Sequence, residues 1–118
     1  MLGVDVVEVE RFGAALARSP GLEDRFFTAA ERDHCAGSVL RLAGTFAAKE
    51  AVMKALGLTP APAWARRIRI ERDASGRPAA TVEGGGSALV SISHDGPVAV
   101  AVALAAPERA GGGPKAPA

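Results

Sequence analysis

Residues 46–57 read FAAKEAVMKALG, and a helix built from them is apolar around most of its circumference. Ala47, Ala48, Ala51, Val52, Ala55 and Leu56 occupy surfaces that look buried, whereas Phe46, Glu50 and Lys54 stand in one row at four-residue spacing. Most of this helix must therefore be covered by other parts of the chain. The charges at Lys49, Glu50 and Lys54 have two readings. One is a solvated stripe with a Glu50–Lys54 pair contributing roughly 0.3 kcal/mol. The other is a wall that holds a metal ion and phosphate.

The flanking sequence supplies the cover. Ser38 can cap a long helix running from Val39 to Leu56, with Gly57 as the residue just past its end. Before it, the Val-rich segment LGVDVVEV at residues 2–9 reads as a strand. Leu2, Val4 and Val6 line one face of that strand, and Gly3, Asp5 and Val7 the other. VERFGAALARS reads as a short helix ended by Ser-Pro-Gly. Thr28 and Glu31 form a capping box for a further helix that stops at Gly37. After the connector TPAPAW, RIRIERD alternates as a strand, with Ile68 and Ile70 on one face. ASGR is a turn before PAATVEG, Gly84–Gly86 form a tight turn or slack loop, and ALVSISH and VAVAVALA close the sheet around Asp-Gly-Pro. A strand, three helices and then antiparallel strands make an α+β domain, with an antiparallel sheet packed against a long helix. It spans residues 1–106, and a Gly/Pro/Ala-rich tail at 107–118 is expected to be disordered.

Composition narrows the function. The chain has 118 residues, enough for one domain, and only 4% of them are aromatic, so the core is built from small side chains. With 14 basic and 13 acidic residues, net charge gives no argument for nucleic acid or an anionic membrane. Cys35 is the single cysteine, so no intrachain disulfide can form and zinc-type Cys/His spacing is absent. The start lacks the charged and apolar regions of a signal peptide, and no apolar run is long enough to span a membrane. A cytoplasmic protein is expected.

Three features call for explanation. Asp5 lies among valines in a strand, where aspartate is disfavoured and a carboxylate needs a partner or a cation. A carboxylate from this strand and one from the long helix, with water, would suit Mg²⁺, and neighbouring lysines would neutralise phosphate oxygens. SISH places His94 at a strand end beside Ser91 and Ser93. Neither a Gly-x-Ser-x-Gly nucleophile turn nor a phosphate-binding P-loop is present.

These segments together resemble the holo-[acyl-carrier-protein] synthase family, the short class of 4′-phosphopantetheinyl transferases. GVDVVEVER at Gly3–Arg11 resembles its first motif, and FAAKEAVMKALG its second. FFTAAERDHC, DASGRP and SISH match three further segments in the family's order, so the resemblance runs from Leu2 to about Leu104.

The resemblance implies transfer of the phosphopantetheine arm of coenzyme A to a serine of an apo acyl carrier protein, releasing adenosine 3′,5′-bisphosphate. It implies that Asp5 and Glu50 hold Mg²⁺, that Asp5, Glu50 and Lys54 form the catalytic set, and that Lys49 lies beside Lys54 at the phosphates. Glu50 or a metal-bound water would take the serine proton. Ser93 and His94 would lie near the adenosine, with Gly57 and the turn Gly76-Arg77-Pro78 also on the coenzyme. The carrier, acting in fatty-acid or polyketide synthesis, would meet Arg11, Arg18, Arg25 and the apolar anchor Phe26. A homotrimer with coenzyme A between subunits is likewise implied.

Two departures from the family pattern stand out. Thr45 replaces the usual Arg before the motif Phe, and Arg41, one helical turn earlier, is the candidate to take over its phosphate contact. GGGSA stands where relatives usually carry a helix between late strands. A catalytically weak carrier-binding subunit is the alternative reading, and the intact Asp5, Glu50 and Lys54 weigh against it. A generic metal-dependent phosphohydrolase would need a second metal cluster, which the sequence lacks.

Overall fold

The computed structural model describes residues 1–58 and 62–106. The expected tail at 107–118 and the first half of the TPAPAW connector, residues 59–61, lie outside the described residues. The elements are β1 (Leu2–Glu8), α1 (Val9–Arg18), α2 (Leu22–Phe26), α3 (Ala29–Cys35), α4 (Val39–Ala55), α5 (Pro62–Ala65), β2 (Ile68–Arg72), β3 (Pro78–Val82), β4 (Ser87–Asp95) and β5 (Val98–Ala105). The fold is α+β, as the sequence suggests. Helices α2 and α5 are additional to the three expected from sequence. Helix α2 starts from Gly21, which adopts φ +87°, and its five residues are too few to show an apolar period.

The strands form one antiparallel sheet in the order β1-β5-β4-β3-β2. The first strand returns to pair with the last, setting Asp5 opposite Ala101 and Val4 opposite Val102. Helix α4 lies across one face of this sheet. Its Ala47, Ala48, Ala51 and Ala55 are buried against Ala80, Ala88, Ala101 and Ala103, with Val52, Met53 and Ile68 in the same cluster. Alanine opposing alanine lets helix and sheet approach closely. At β1 the approach is limited by backbone alone: a Cβ on Gly3 would collide with α4 at Ala51 and Ala55. A second cluster joins Phe12, Phe27, Leu42 and Ala43, with Phe26 and Phe46 packed against it.

Both helix starts read from sequence are present. The Thr28 side chain accepts from Glu31 N and Glu31 returns the bond to Thr28 N, while Ser38 accepts from Arg41 N. Gly57 adopts φ +72° past the end of α4. The Gly84–Gly86 run forms the turn between β3 and β4, with no helix there. The Gly3/Asp5/Val7 face of β1 is the one that meets α4. Leu2, Val4 and Val6 point the other way, and with Leu89, Val102 and Leu104 they leave an apolar sheet face 40–67% exposed.

Candidate active site

Asp5, Glu50 and Lys54 come together where β1 crosses the second half of α4. Gly3 sets the strand against the helix, and the two-residue period of β1 then aims Asp5 at α4. On α4, Glu50 and Lys54 are one turn apart and share a face. Lys54 Nζ donates to Asp5 Oδ1 at 3.1 Å and to Val4 O at 3.0 Å. An ammonium has three donors, so one is left to face outward. Burial, and then the nearby Asp5 carboxylate, push the Glu50 pKa above its ordinary value, while Lys54 opposes the rise. The two carboxylates are thus close enough to repel, an arrangement that a cation would relieve. No group of three or more His, Cys, Asp or Glu side chains with metal-site geometry occurs among the described residues. A pair of carboxylates with open positions suits Mg²⁺, which prefers oxygen ligands and keeps several waters.

A second set of predicted residues meets elsewhere. Arg41, Ser93 and His94 line a cavity of about 670 Å³ with Cys35, Thr45 and Arg72. Asp5, Glu50 and Lys54 do not line it. Thr45 is buried; its hydroxyl donates to Arg41 O at 2.9 Å and lies 3.6 Å from Cys35 Sγ, whose pKa burial raises. Arg41 is exposed at the mouth, one turn from Thr45. Arg72 was not foreseen. It follows Ile68 and Ile70 at the two-residue period, so a charged side chain in the apolar phase of β2 was the available signal. Gly76, Arg77 and Pro78 do not line the cavity, but Arg72 Nη1 donates to Gly76 O at 3.3 Å and so links their turn to it. That turn is held by Asp73 Oδ1, which accepts from Ser75 N, Ser75 Oγ and Arg77 N. These bonds lower the Asp73 pKa, the Ser75 hydroxyl most strongly.

One expectation is corrected outright. Lys49 does not stand beside Lys54 at a phosphate surface; it is completely buried and paired with Glu31 at 2.6 Å. Its successor Glu50 projects about 100° away around the helix, so adjacency in sequence placed the two on different surfaces. Gly57 ends α4 and carries no side chain to a site.

On the helical side, Arg11, Arg18 and Arg25 are exposed on α1 and α2. Arg11 has only a long contact to Glu8, 3.4 Å, and its side chain is 84% exposed. Phe26 is half-buried, with its ring centroid 5.0 Å from that of Phe46.

Residues 1–104 match the 4′-phosphopantetheinyl transferase superfamily. The chain is 48% identical over 117 residues to the holo-[acyl-carrier-protein] synthase of Salinispora arenicola, covering 88% of this chain and 95% of that protein. It is 43% identical over 114 residues to that of Frankia casuarinae, covering 88% and 94%. Among solved structures, the Helicobacter pylori holo-[acyl-carrier-protein] synthase in complex with coenzyme A superposes with a TM-score of 0.81 at 28% identity, covering 90% of this chain and 100% of that one. The Bacillus anthracis enzyme in complex with CoA (3′,5′-ADP) gives 0.76 at 29% identity, covering 88% and 93%. The chain therefore belongs to the 4′-phosphopantetheinyl transferase superfamily and, within it, to the holo-[acyl-carrier-protein] synthase family of enzymes.

Proposed function

We propose that this protein transfers the 4′-phosphopantetheine group of coenzyme A to a serine hydroxyl of an apo acyl carrier protein. The observation that carries the proposal is the Asp5–Glu50–Lys54 cluster at the crossing of β1 and α4, in a chain whose relatives are holo-[acyl-carrier-protein] synthases. The serine oxygen bonds to the phosphorus that bears pantetheine. The bond from that phosphorus to the bridging pyrophosphate oxygen breaks, and adenosine 3′,5′-bisphosphate leaves with the electron pair.

Asp5 and Glu50 would hold Mg²⁺, which when bound offsets negative charge gathering on the pyrophosphate. Lys54 keeps Asp5 oriented and turns its remaining donor to a phosphate oxygen. Glu50, or a water on the cation it would hold, would take the serine proton. Arg41 at the cavity mouth supplies the charge that Thr45 cannot, and Ser93 and His94 border the nucleotide. Arg11, Arg18, Arg25 and Phe26 receive the carrier.

The carboxylate wall and the Arg41/His94 cavity occupy different places on one chain. Coenzyme A reaches both when it lies between copies, and the exposed apolar face of the sheet is the surface on which a homotrimer would close. Simultaneous measurement of carrier modification and adenosine 3′,5′-bisphosphate release tests the reaction. One nucleotide released per carrier modified is expected; release without modification would point to hydrolysis of coenzyme A instead.

A further inference from the structure

Lys49 uses every donor it has inside the protein. Its Nζ pairs with Glu31 Oε1 at 2.6 Å and donates to Phe26 O at 2.8 Å and Ala65 O at 2.5 Å. It also sits 5.6 Å from the Phe27 ring centroid. Glu31 is occupied as fully, since Oε1 accepts from Thr28 N at 2.9 Å and Oε2 from Ile70 N at 2.7 Å. Lys49 belongs to α4, Phe26 ends α2, Glu31 and Thr28 begin α3, Ala65 ends α5, and Ile70 lies in β2. One ion pair thus ties five elements, and no donor on Lys49 is left for a substrate.

A buried ion pair is weak evidence for stability, because desolvating two charges offsets much of their attraction. Burial accordingly lowers the Lys49 pKa, with Glu31 opposing. What the pair supplies that an apolar side chain cannot is direction, because each donor fixes a different carbonyl or carboxylate. The carbonyl it fixes on α2 belongs to Phe26, whose ring packs at a tilt against that of Phe46, the residue one turn before Glu50. The five residues of α2 have no side-chain cap, and their other side-chain hydrogen bond, from Arg32 Nη1 to Asp24 Oδ1 at 2.6 Å, lies on the exposed side of the helix.

We propose that the Lys49–Glu31 pair is a positioning clamp that seats α2, with Arg25 and Phe26, against the catalytic helix, and so sets carrier affinity without touching either substrate. The proposal rests on the carrier-modifying reading above. It is tested with Lys49→Met/Glu31→Gln, which leaves an acceptor for Ile70 N without an unpaired buried charge, and with Glu31→Gln alone, which keeps the Lys49 bond to Phe26 O but leaves the ammonium without its counter-charge. Two measurements are made on each. In the free protein, amide hydrogen exchange across residues 22–27 should rise about tenfold or more in the double variant, and less in the single one, while α1 and β5 stay as in wild type. In the transfer assay, KM for apo carrier should rise about fivefold or more, with KM for coenzyme A held within about twofold. Unchanged exchange in α2 would overturn the clamp. So would equal acceleration in α1 and β5, which marks general loss of stability, or faster α2 exchange with an unaltered KM for carrier. A wild-type protein that modifies no carrier would defeat the transferase reading instead, and the exchange arm would still report on the clamp.

Discussion

Lys54 Nζ lies 3.1 Å from Asp5 Oδ1, so the last turn of α4 is fastened to the middle of β1 at the carboxylate whose charge helps raise the Glu50 pKa. The contact joins residues 49 positions apart in sequence, and it concentrates two negative charges and one positive charge in a partly buried space. This balance makes Glu50 costly to the fold and useful to the reaction.

Glu50→Gln separates those two effects. The folded-state pKa of Glu50 is raised above its ordinary 4.5, so wild type loses stability as pH rises from that value through the folded one. Glutamine removes the loss. At pH 7 without divalent cation the variant should therefore melt at a higher temperature than wild type, with the difference vanishing below pH 4.5. Added Mg²⁺ should stabilise wild type but not the variant, and kcat should fall by about 100-fold or more. Calorimetry from pH 4 to 8 with and without Mg²⁺, alongside an activity assay, checks all three.

Arg11→Glu should raise KM for the carrier by about tenfold and leave KM for coenzyme A near wild type. Arg11 is 84% exposed at the start of α1, with only a 3.4 Å contact to Glu8, so the fold does not depend on it. The carrier effect should shrink as salt is raised from 50 to 300 mM, as expected for a screened charge. Equal effects on both substrates would contradict separate surfaces.

Arg41→Ala should raise KM for coenzyme A about tenfold, equivalent to one charge-assisted contact, while leaving 3′-dephospho-coenzyme A unaffected. Thr45 is buried, with its hydroxyl already donating to Arg41 O, so it has nothing to offer a phosphate. Steady-state comparison of the two nucleotides decides the point. If Arg41→Ala changes neither, the contact is absent.

Val102→Lys should break the assembly. Val102 pairs with Val4 on the exposed apolar sheet face, opposite α4. Light scattering should show trimers for wild type and monomers for the variant, and coenzyme A affinity should drop by about tenfold or more, as the proposed site between copies requires. A monomeric wild type with full affinity would contradict this arrangement.

Much of the fold was legible because its signals are local. The Thr28–Glu31 capping box, the Ser38 cap, Gly57 past α4 and the alternation at Ile68 and Ile70 each follow from backbone hydrogen bonding or strand period, and all are present. Asp5 and Glu50 were legible because a carboxylate among valines and one on an alanine helix conflict with their surroundings. Lys49 was misread because its partners are 18, 23 and 16 residues away, at Glu31, Phe26 and Ala65, and no local pattern announces a tertiary ion pair. The same holds for Arg72, whose place in the cavity depends on how β2 lies against α4.

The most direct test is the intact mass of an apo acyl carrier protein after incubation with coenzyme A, Mg²⁺ and either wild type or Asp5→Ala. Wild type should shift the carrier by one phosphopantetheine, and Asp5→Ala should leave it unshifted. A carrier that binds wild type but gains no mass would contradict the account and identify a carrier-binding subunit, as would a full shift with Asp5→Ala contradict the role of the carboxylate wall.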